Sequence, residues 1–324
     1  MACTRSTDSH LGVFDVVIRL LGKCLQKAIL VGMAFLLCLP AYAANKAFLW
    51  RIDSKTTTVW LFGTVHVGKA NFYPLPASVE YAYQHSDQLA VEIDILQPDI
   101  DPVSLMKRSL YPQGDSLEKH LGPENWQKLS AALPDMYGIE TKGFQRSKPW
   151  MLASVLSMAS ARQQGLNEVY GVDLHLLSRA HKDGKPIISL ESFSSQLQAL
   201  DNLSESTQID WIMSMIDPAE NAKSKSTLLM LVNSWQQGDP DAMGKIWQEE
   251  SQGTHKQAMD DFELRLLKDR NPAMAAKIAS FLKGRQTVLV AVGALHFGGP
   301  GNLISLLKSK GYKPVQQAAI LTAP

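Results

Sequence analysis

Two histidines near opposite ends of the chain follow the same kind of sequence. Gly63-Thr-Val-His66 closes the apolar run VWLF, and Gly293-Ala-Leu-His296 closes the apolar run VLVAV. In both places glycine allows a sharp backbone turn just after a predicted buried strand. Open α/β sheets place their ligand crevices beyond the carboxyl ends of their strands. We therefore expect the His66 and His296 imidazoles to meet at one edge of a sheet.

A third predicted strand ends in carboxylates, in the sequence Val91-Glu92-Ile93-Asp94. Strand alternation puts Glu92 and Asp94 on one face. Two imidazoles and one or two carboxylates can bind a divalent metal such as manganese, cobalt, zinc or iron. They can equally act without metal, as a general base and the group that orients it. The residues alone leave both interpretations open.

Three further charged residues are candidates for substrate binding. Asp173 opens a predicted helix, where a carboxylate either satisfies free N–H groups or faces the site. Glu191 follows a short predicted strand and can face the crevice. Arg270 can clamp a substrate carboxylate or pair with Glu191. The glycines at 298–301 precede a predicted helix and either receive an anion or form a simple turn.

The elements that must position these residues come from the two ends of the chain. Helices are predicted at 77–85, at 303–310 and through most of 101–283, with caps at Asp217, Asp239 and Asn271, each before a proline. Short apolar runs predict strands at 48–52, 58–62, 89–93, 184–190, 287–292 and 313–317. These elements predict a single α/β domain, with a central sheet built from both terminal segments and a mainly helical insertion at 97–285. The alternative makes 97–285 a separate helical domain.

The first 43 residues have the pattern of a secretory signal. Basic residues precede twelve apolar or small residues at 28–39, and Ala41-Tyr42-Ala43 supplies an A-x-A cleavage site. A bilayer span needs about 20 apolar residues, so twelve are short for a permanent anchor. We expect cleavage after Ala43 and a periplasmic or secreted protein, with membrane contact only if the segment is retained.

Composition excludes several classes of protein. The net charge is +1, and the signal segment takes away four basic and two acidic side chains, which changes it to −1. No positive excess is available for a nucleic-acid backbone. All three cysteines, at positions 3, 24 and 38, lie within the signal segment. The exported chain therefore has no thiol for a nucleophile, a metal site or a disulfide.

Six short motifs follow one another along the chain. They are Gly63-Thr-Val-His66-Val-Gly68, Val91-Glu92, Tyr170-Gly-Val-Asp173, Leu190-Glu191 followed by Gln196-Leu197, Arg270-Asn271, and Val292-Gly-Ala-Leu-His296-Phe-Gly298. In this order they resemble the TraB/GumN family, which includes the Tiki-type proteases, and the chain looks most like its exported, signal-bearing bacterial members. The resemblance runs from about residue 48 to 314.

This resemblance implies a fold similar to the erythromycin esterases and the haem-binding ChaN-like proteins. It also implies a site formed by His66, His296 and Glu92, and Tiki members are described as manganese- or cobalt-dependent peptidases. The leading hypothesis is an exported metal-dependent hydrolase of an amide or ester bond. In it, His66, His296 and Glu92 hold a divalent ion, Glu92 being a ligand or general base.

In the same hypothesis Arg270, Asp173 and Glu191 lie beside a peptide or small-molecule substrate. The alternative is a non-catalytic exported protein that holds a metal, haem or a peptide in the same crevice.

Overall fold

A mixed β-sheet forms the centre of the molecule. The computed structural model describes residues 46–253 and 255–320, so the predicted signal at 1–43 lies outside the described residues. The strands are β1 (Lys46–Asp53), β2 (Thr58–Thr64), β3 (Gln88–Val91), β4 (Ile187–Ser189), β5 (Val288–Gly293) and β6 (Val315–Ala318). Within this part of the chain they form one sheet in the order β4-β3-β5-β2-β1-β6.

The four strands β4, β3, β5 and β2 run parallel, and β5 lies between β3 and β2. Gly63 at the end of β2 lies opposite Val292 of β5. The carboxyl ends of β2, β3 and β5 therefore reach the same edge, and the segments carrying His66, Glu92 and His296 begin there. This adjacency is the reason why residues more than 200 positions apart can share a site.

The antiparallel part of the sheet completes it. β1 and β2 form the predicted hairpin, and β6 pairs with the other side of β1. Five of the six described strands come from the two ends of the chain. The sixth, β4, comes from within the helical region, where the apolar run at 184–190 predicts a strand. It pairs parallel with β3 at the edge of the sheet.

The described residues form twelve α-helices. They are α1 (Ala77–Gln84), α2 (Pro102–Ser109), α3 (Leu117–Tyr137), α4 (Pro149–Gln163), α5 (Val172–Asp183), α6 (Phe193–Asp201), α7 (Glu205–Ile216), α8 (Pro218–Gln236), α9 (Pro240–Glu250), α10 (Lys256–Phe262), α11 (Asn271–Phe281) and α12 (Leu303–Ser309). None of the described helices is both long enough and apolar enough to cross a bilayer. The α/β class is therefore as predicted, while the specific likeness to erythromycin esterases and ChaN-like proteins stays a prediction.

Buried apolar side chains form two clusters. The larger one packs on the sheet and contains the fully buried Leu61 and Val290. The smaller one joins helices α3, α4 and α7 and contains Leu129, Leu156 and Ile212. All described residues belong to one compact unit.

Two local predictions are wrong. The strand predicted at 89–93 ends at Val91, so alternation does not place Glu92 and Asp94 together; Asp94 turns away and pairs with His181 at 2.8 Å. Asn271 does not cap α11, whose N-cap is Arg270 without a side-chain cap bond. The side-chain amide of Asn271 is hydrogen-bonded to Gly301 and His296 instead. The caps at Asp217 and Asp239 are confirmed.

Candidate active site

His66 lies two residues beyond β2 and is held by Asp173. Its Nδ1 lies 2.8 Å from Asp173 Oδ2, while the Thr64 hydroxyl donates to Asp173 Oδ1. Asp173 is in the first turn of α5, but the side chain caps nothing, because the helix begins after Gly171 without a side-chain cap bond. The charge of Asp173 raises the pKa of His66 to about 9. The ring, whose side chain is 65% exposed, is therefore an imidazolium at neutral pH.

His296 is the opposite case, because it is buried. It lies in a 3-10 turn, Ala294–Phe297, directly after β5, and only 3% of it is exposed. Its Nδ1 lies 2.5 Å from Asn271 Oδ1. Burial lowers the pKa of His296 to about 4, so the ring is neutral at neutral pH. Its Nε2 lies 3.7 Å from Glu92 Oε1.

Glu92 follows β3 directly and accepts hydrogen bonds on both carboxylate oxygens. Gly293 N–H donates to Oε1 at 2.7 Å; Arg270 Nη2 and Gln196 Nε2 donate to Oε2 at 2.6 and 2.7 Å. Burial alone raises the pKa of this carboxyl, but the facing His296, Arg270 and His66 outweigh burial and lower the pKa to about 2. Glu92 is a fully charged, almost buried carboxylate.

Arg270 bridges two carboxylates rather than standing free. Besides the bond to Glu92, its Nε lies 3.1 Å from both Glu191 oxygens and its Nη2 lies 2.8 Å from Glu191 Oε2. Its Nη1 donates to the carbonyl of Leu266, in the π-helical turn Glu263–Lys268. Of the two roles considered for Arg270, the structure shows the pairing with Glu191. Substrate contacts of Arg270, Asp173 and Glu191 stay predictions.

The three central groups converge above Gly293. A methyl group placed on this glycine would lie 3.1 Å from Glu92 Oε1, 3.7 Å from His296 Cδ2 and 3.9 Å from His66 Nε2. The structure thus brings together the two histidines and the glutamate that the sequence singles out. The position of a Gly293 side chain is thus bordered by all three groups, and we call the space around this point the hollow.

Sequence reasoning missed three supporting roles. Thr64 holds Asp173, Gln196 holds Glu92, and Asn271 holds His296. The sequence does contain a signal for these three residues, because each lies inside or beside one of the six motifs. Thr64 stands between the glycine and the histidine, and Asn271 follows Arg270 directly. The types of these residues did not reveal their partners, because each partner lies on a distant segment.

The remaining polar candidates lie elsewhere. His120, His181 and His255 each pair with carboxylates outside this cluster. The glycines at 298–301 form a turn whose backbone packs against Gly244, and Asn302 caps α12 after it. Of the two roles considered for this segment, the structure shows the turn.

The donor set suits a divalent ion in its chemistry. Both rings are held at Nδ1, which is how metal-binding histidines are usually held. His66 Nε2 borders the hollow, and His296 Nε2 lies 3.7 Å from Glu92 Oε1. The spatial arrangement of the donors does not match a metal site, because in the described residues no three or more His, Cys, Asp or Glu side chains are placed to hold an ion. Glu92 is already bonded by Arg270, Gln196 and the backbone, so an ion here requires these side chains to rearrange.

Comparison with known proteins identifies relatives of two kinds. YbaP of Escherichia coli K12, named as an uncharacterized protein, is 30% identical over 248 residues, which cover 76% of this chain and 87% of YbaP. Metalloprotease TIKI1 of Danio rerio is 24% identical over 313 residues, and the Metalloprotease TIKI homolog of Amphimedon queenslandica is 21% identical over 328 residues. The alignments cover 62% and 64% of these two relatives.

No solved structure matches the chain. A family model, that of the TraB/PrgY/gumN family, matches residues 48–316. This range contains every residue of the convergent cluster and all of the helical region. With its six motifs in order and a relative that aligns over most of both chains, the protein belongs to the TraB/PrgY/gumN family.

Proposed function

We propose that this protein hydrolyses an amide (peptide) or ester bond at the hollow above Gly293. The observation that carries the proposal is the convergence of Glu92 Oε1, the His296 ring and His66 Nε2 within 4 Å of one point. The two rings differ in charge at neutral pH, because one is buried and the other is paired with a carboxylate. Groups whose environments separate their pKa values in this way can divide acid and base roles.

His296 is the general base in this proposal. Its neutral ring presents Nε2 to the hollow, where it can take a proton from a water molecule that attacks the substrate carbonyl. Glu92, 3.7 Å from that nitrogen, stabilises the imidazolium that forms. The Arg270 and Gln196 hydrogen bonds keep the carboxylate charged and oriented during this step.

His66 is the general acid. Its imidazolium is oriented by Asp173 and exposed to solvent, so its Nε2–H can donate to the leaving amine or alkoxide. The negative charge of Asp173 stabilises the imidazolium of His66 until the proton is transferred. Deprotonated His66 then regains a proton from solvent, which its exposure permits, and His296 releases the proton that it took from water, so that both rings return to their starting states.

We further propose a metal-bound form of the same site, with manganese, cobalt or zinc, as the alternative to the metal-free acid and base roles. His66 Nε2, His296 Nε2 and Glu92 Oε1 would hold the ion, and His66 would first have to lose its Nε2 proton. When bound, such an ion lowers the pKa of a water molecule and so supplies hydroxide at neutral pH. The name metalloprotease, carried by distant relatives, supports this and favours a peptide among the possible substrates.

The test is a panel of peptides and simple esters, assayed with manganese, cobalt or zinc and with a chelator. We expect turnover that falls by at least about 10²-fold in His66→Ala, His296→Ala and Glu92→Gln. The control is His85→Ala, since His85 is outside the cluster and, among the described residues, its ring is hydrogen-bonded only to the carbonyl of Tyr81. Turnover that survives in both histidine variants would sink the proposal. Stoichiometric binding of metal, haem or peptide without turnover would instead favour a binding protein.

We also propose that the chain is exported and cleaved after Ala43, on the basis of the signal pattern at 28–43. The full chain should be expressed in a Gram-negative host, and the mass of the protein recovered from the periplasm should be measured. A mass that begins at Ala44 supports the proposal. Intact protein in the cytoplasmic or membrane fraction alone contradicts it.

A further inference from the structure

The side-chain amide of Asn271 has only one possible orientation. Its nitrogen lies 3.0 Å from the carbonyl oxygen of Gly301, which can only accept a hydrogen bond. The NH2 group must therefore face Gly301, and Oδ1 must face His296 Nδ1, 2.5 Å away. Because an amide oxygen cannot donate, the proton in that bond belongs to Nδ1 of the histidine.

We propose that Asn271 is a positioning residue that fixes the neutral His296 ring in its Nδ1–H form. Nε2, which lies on the side of Glu92, then has an unshared electron pair. The 3.7 Å separation of Nε2 and Glu92 Oε1 agrees with this, since it is too long for an N–H···O bond that the other tautomer would form. The consequence for catalysis rests on the proposed function, whereas the tautomer itself does not.

The backbone at the start of α11 makes this positioning rigid. Arg270 and Asn271 are consecutive residues, and one holds Glu92 while the other holds His296. Pro272 follows at the start of the helix, where its fixed φ restricts the chain. Asn271 is 3% exposed, so solvent does not compete for its amide. One helix start therefore sets the orientation of both the carboxylate and the imidazole.

The direct test is ¹⁵N NMR of histidine-labelled protein at neutral pH, which distinguishes protonated from unprotonated ring nitrogens. The His296 signals are identified as those lost in His296→Gln. We expect a protonated Nδ1 and an unprotonated Nε2 in the native chain. In Asn271→Leu we expect the proton to move to Nε2, where Glu92 can accept it. Asn271→Asp keeps an acceptor at this position, so Nδ1 of His296 should stay protonated.

A matched control is Asn221→Leu. Asn221 is equally buried, but it binds Tyr137 and Met215 far along the chain from His296. This variant should lose stability without changing the His296 tautomer. A native ring protonated at Nε2 alone overturns the proposal, and so does an unchanged tautomer in Asn271→Leu. If Asn271→Leu does not fold, the native chain and Asn271→Asp still decide the question.

Kinetics then connect the tautomer to the reaction. On a substrate found by the panel above, Asn271→Leu should lower kcat on the order of 10²-fold with a smaller change in KM, and Asn271→Asp should recover part of the loss. A fall in kcat without a change of tautomer contradicts the positioning role. If the native chain turns over no substrate, the proposed function fails, while the NMR result still decides the inference about Asn271.

Discussion

At the residue scale, the two imidazoles of the cluster lie in different environments. Nδ1 of His66 pairs with a carboxylate and the ring is exposed to solvent. Nδ1 of His296 is hydrogen-bonded to a neutral amide and the ring is buried. An ionised partner stabilises the charged ring, and burial favours the neutral one. Glu92 lies beside both and stays ionised because Arg270 compensates its charge. The same residue type can therefore act as an acid and as a base within one hollow.

The hollow itself gives the first prediction, Gly293→Ala. Gly293 has φ −51° and ψ 135°, which alanine adopts without strain, so the variant tests space alone. The added methyl would lie 3.1 Å from Glu92 Oε1 and must displace it. We expect turnover to fall by at least about tenfold, because small misplacements of reacting groups are costly. The free energy of unfolding should fall by about 1–3 kcal/mol, because the added methyl overpacks a buried site.

The control for this variant is Gly143→Ala, where an added methyl meets no atom within 4 Å. It should change neither turnover nor stability. Equal turnover in Gly293→Ala and the native chain would show that the hollow is not where the reaction occurs.

The charge on His66 gives the second prediction, Asp173→Asn. Loss of the carboxylate charge should bring the pKa of His66 from about 9 down toward its usual 6.5. Because the folded-state pKa is raised, the pair stabilises the fold fully below pH 6.5 and ceases to do so as the pH rises through about 9. NMR titration of His66 and unfolding curves between pH 6 and 10 measure both effects.

Asp183→Asn, at the other end of the same helix, is the matched control and should leave the His66 titration unchanged. A His66 pKa near 6.5 in the native chain would contradict the acid role.

The Arg270 bridge gives the third prediction, Arg270→Gln. The side chains of Arg270 and Glu92 are 14% and 9% exposed, so removal of the guanidinium leaves a buried carboxylate uncompensated. We expect a loss of about 3–5 kcal/mol in the free energy of unfolding at neutral pH, measured with urea. The lowered pKa of Glu92 means that its own stabilisation is complete above pH 4.5 and disappears as the pH falls toward 2.

Lys128→Gln is the comparison for an exposed ion pair, because Lys128 bonds Glu124 on the surface of α3. Its removal should cost about 0.5 kcal/mol or less. Equal costs for the two variants would mean that the Arg270 bridge contributes no more to stability than an exposed ion pair.

At the scale of elements, the sequence predicted the sheet better than it predicted the side-chain partners. Apolar runs and glycine turns located β2, β5 and the hairpin, because strand burial and turn formation depend on local residue types. The ends of parallel strands then had to share an edge, which placed His66 and His296 together. These inferences need no knowledge of distant contacts.

The wrong predictions concern polar side chains whose orientation depends on residues that are distant in the sequence. Asn271 has the residue type and the following proline of a helix cap, yet its amide binds His296 and Gly301 from other segments. For Asp173 the sequence left a capping role and a site role open, and the structure bonds it to residues of the β2 end. Asp94 continues an alternating pattern past the end of β3 and turns to His181. Local preference is a weak guide to a polar side chain with a partner elsewhere.

At the scale of the whole molecule, helix α8 connects the two apolar clusters. Val232 and Trp235 at its carboxyl end belong to the sheet cluster, and Trp235 donates to the carbonyl of Gly63 at 2.7 Å. Near its start, Asn221 bonds Tyr137 and Met215 of the helical cluster. A helix that takes part in both clusters couples their unfolding. The helical region should therefore not unfold independently of the sheet.

This coupling gives the last prediction, a comparison of Leu129→Ala with Ile52→Ala. Both side chains are fully buried, the first in the helical cluster and the second in the sheet cluster. Each truncation should cost about 2–5 kcal/mol. We expect one cooperative urea transition in both variants, coincident by tryptophan fluorescence and circular dichroism, with the His66 titration unchanged. Two separate transitions in Leu129→Ala would show instead that residues 97–285 fold as a domain of their own.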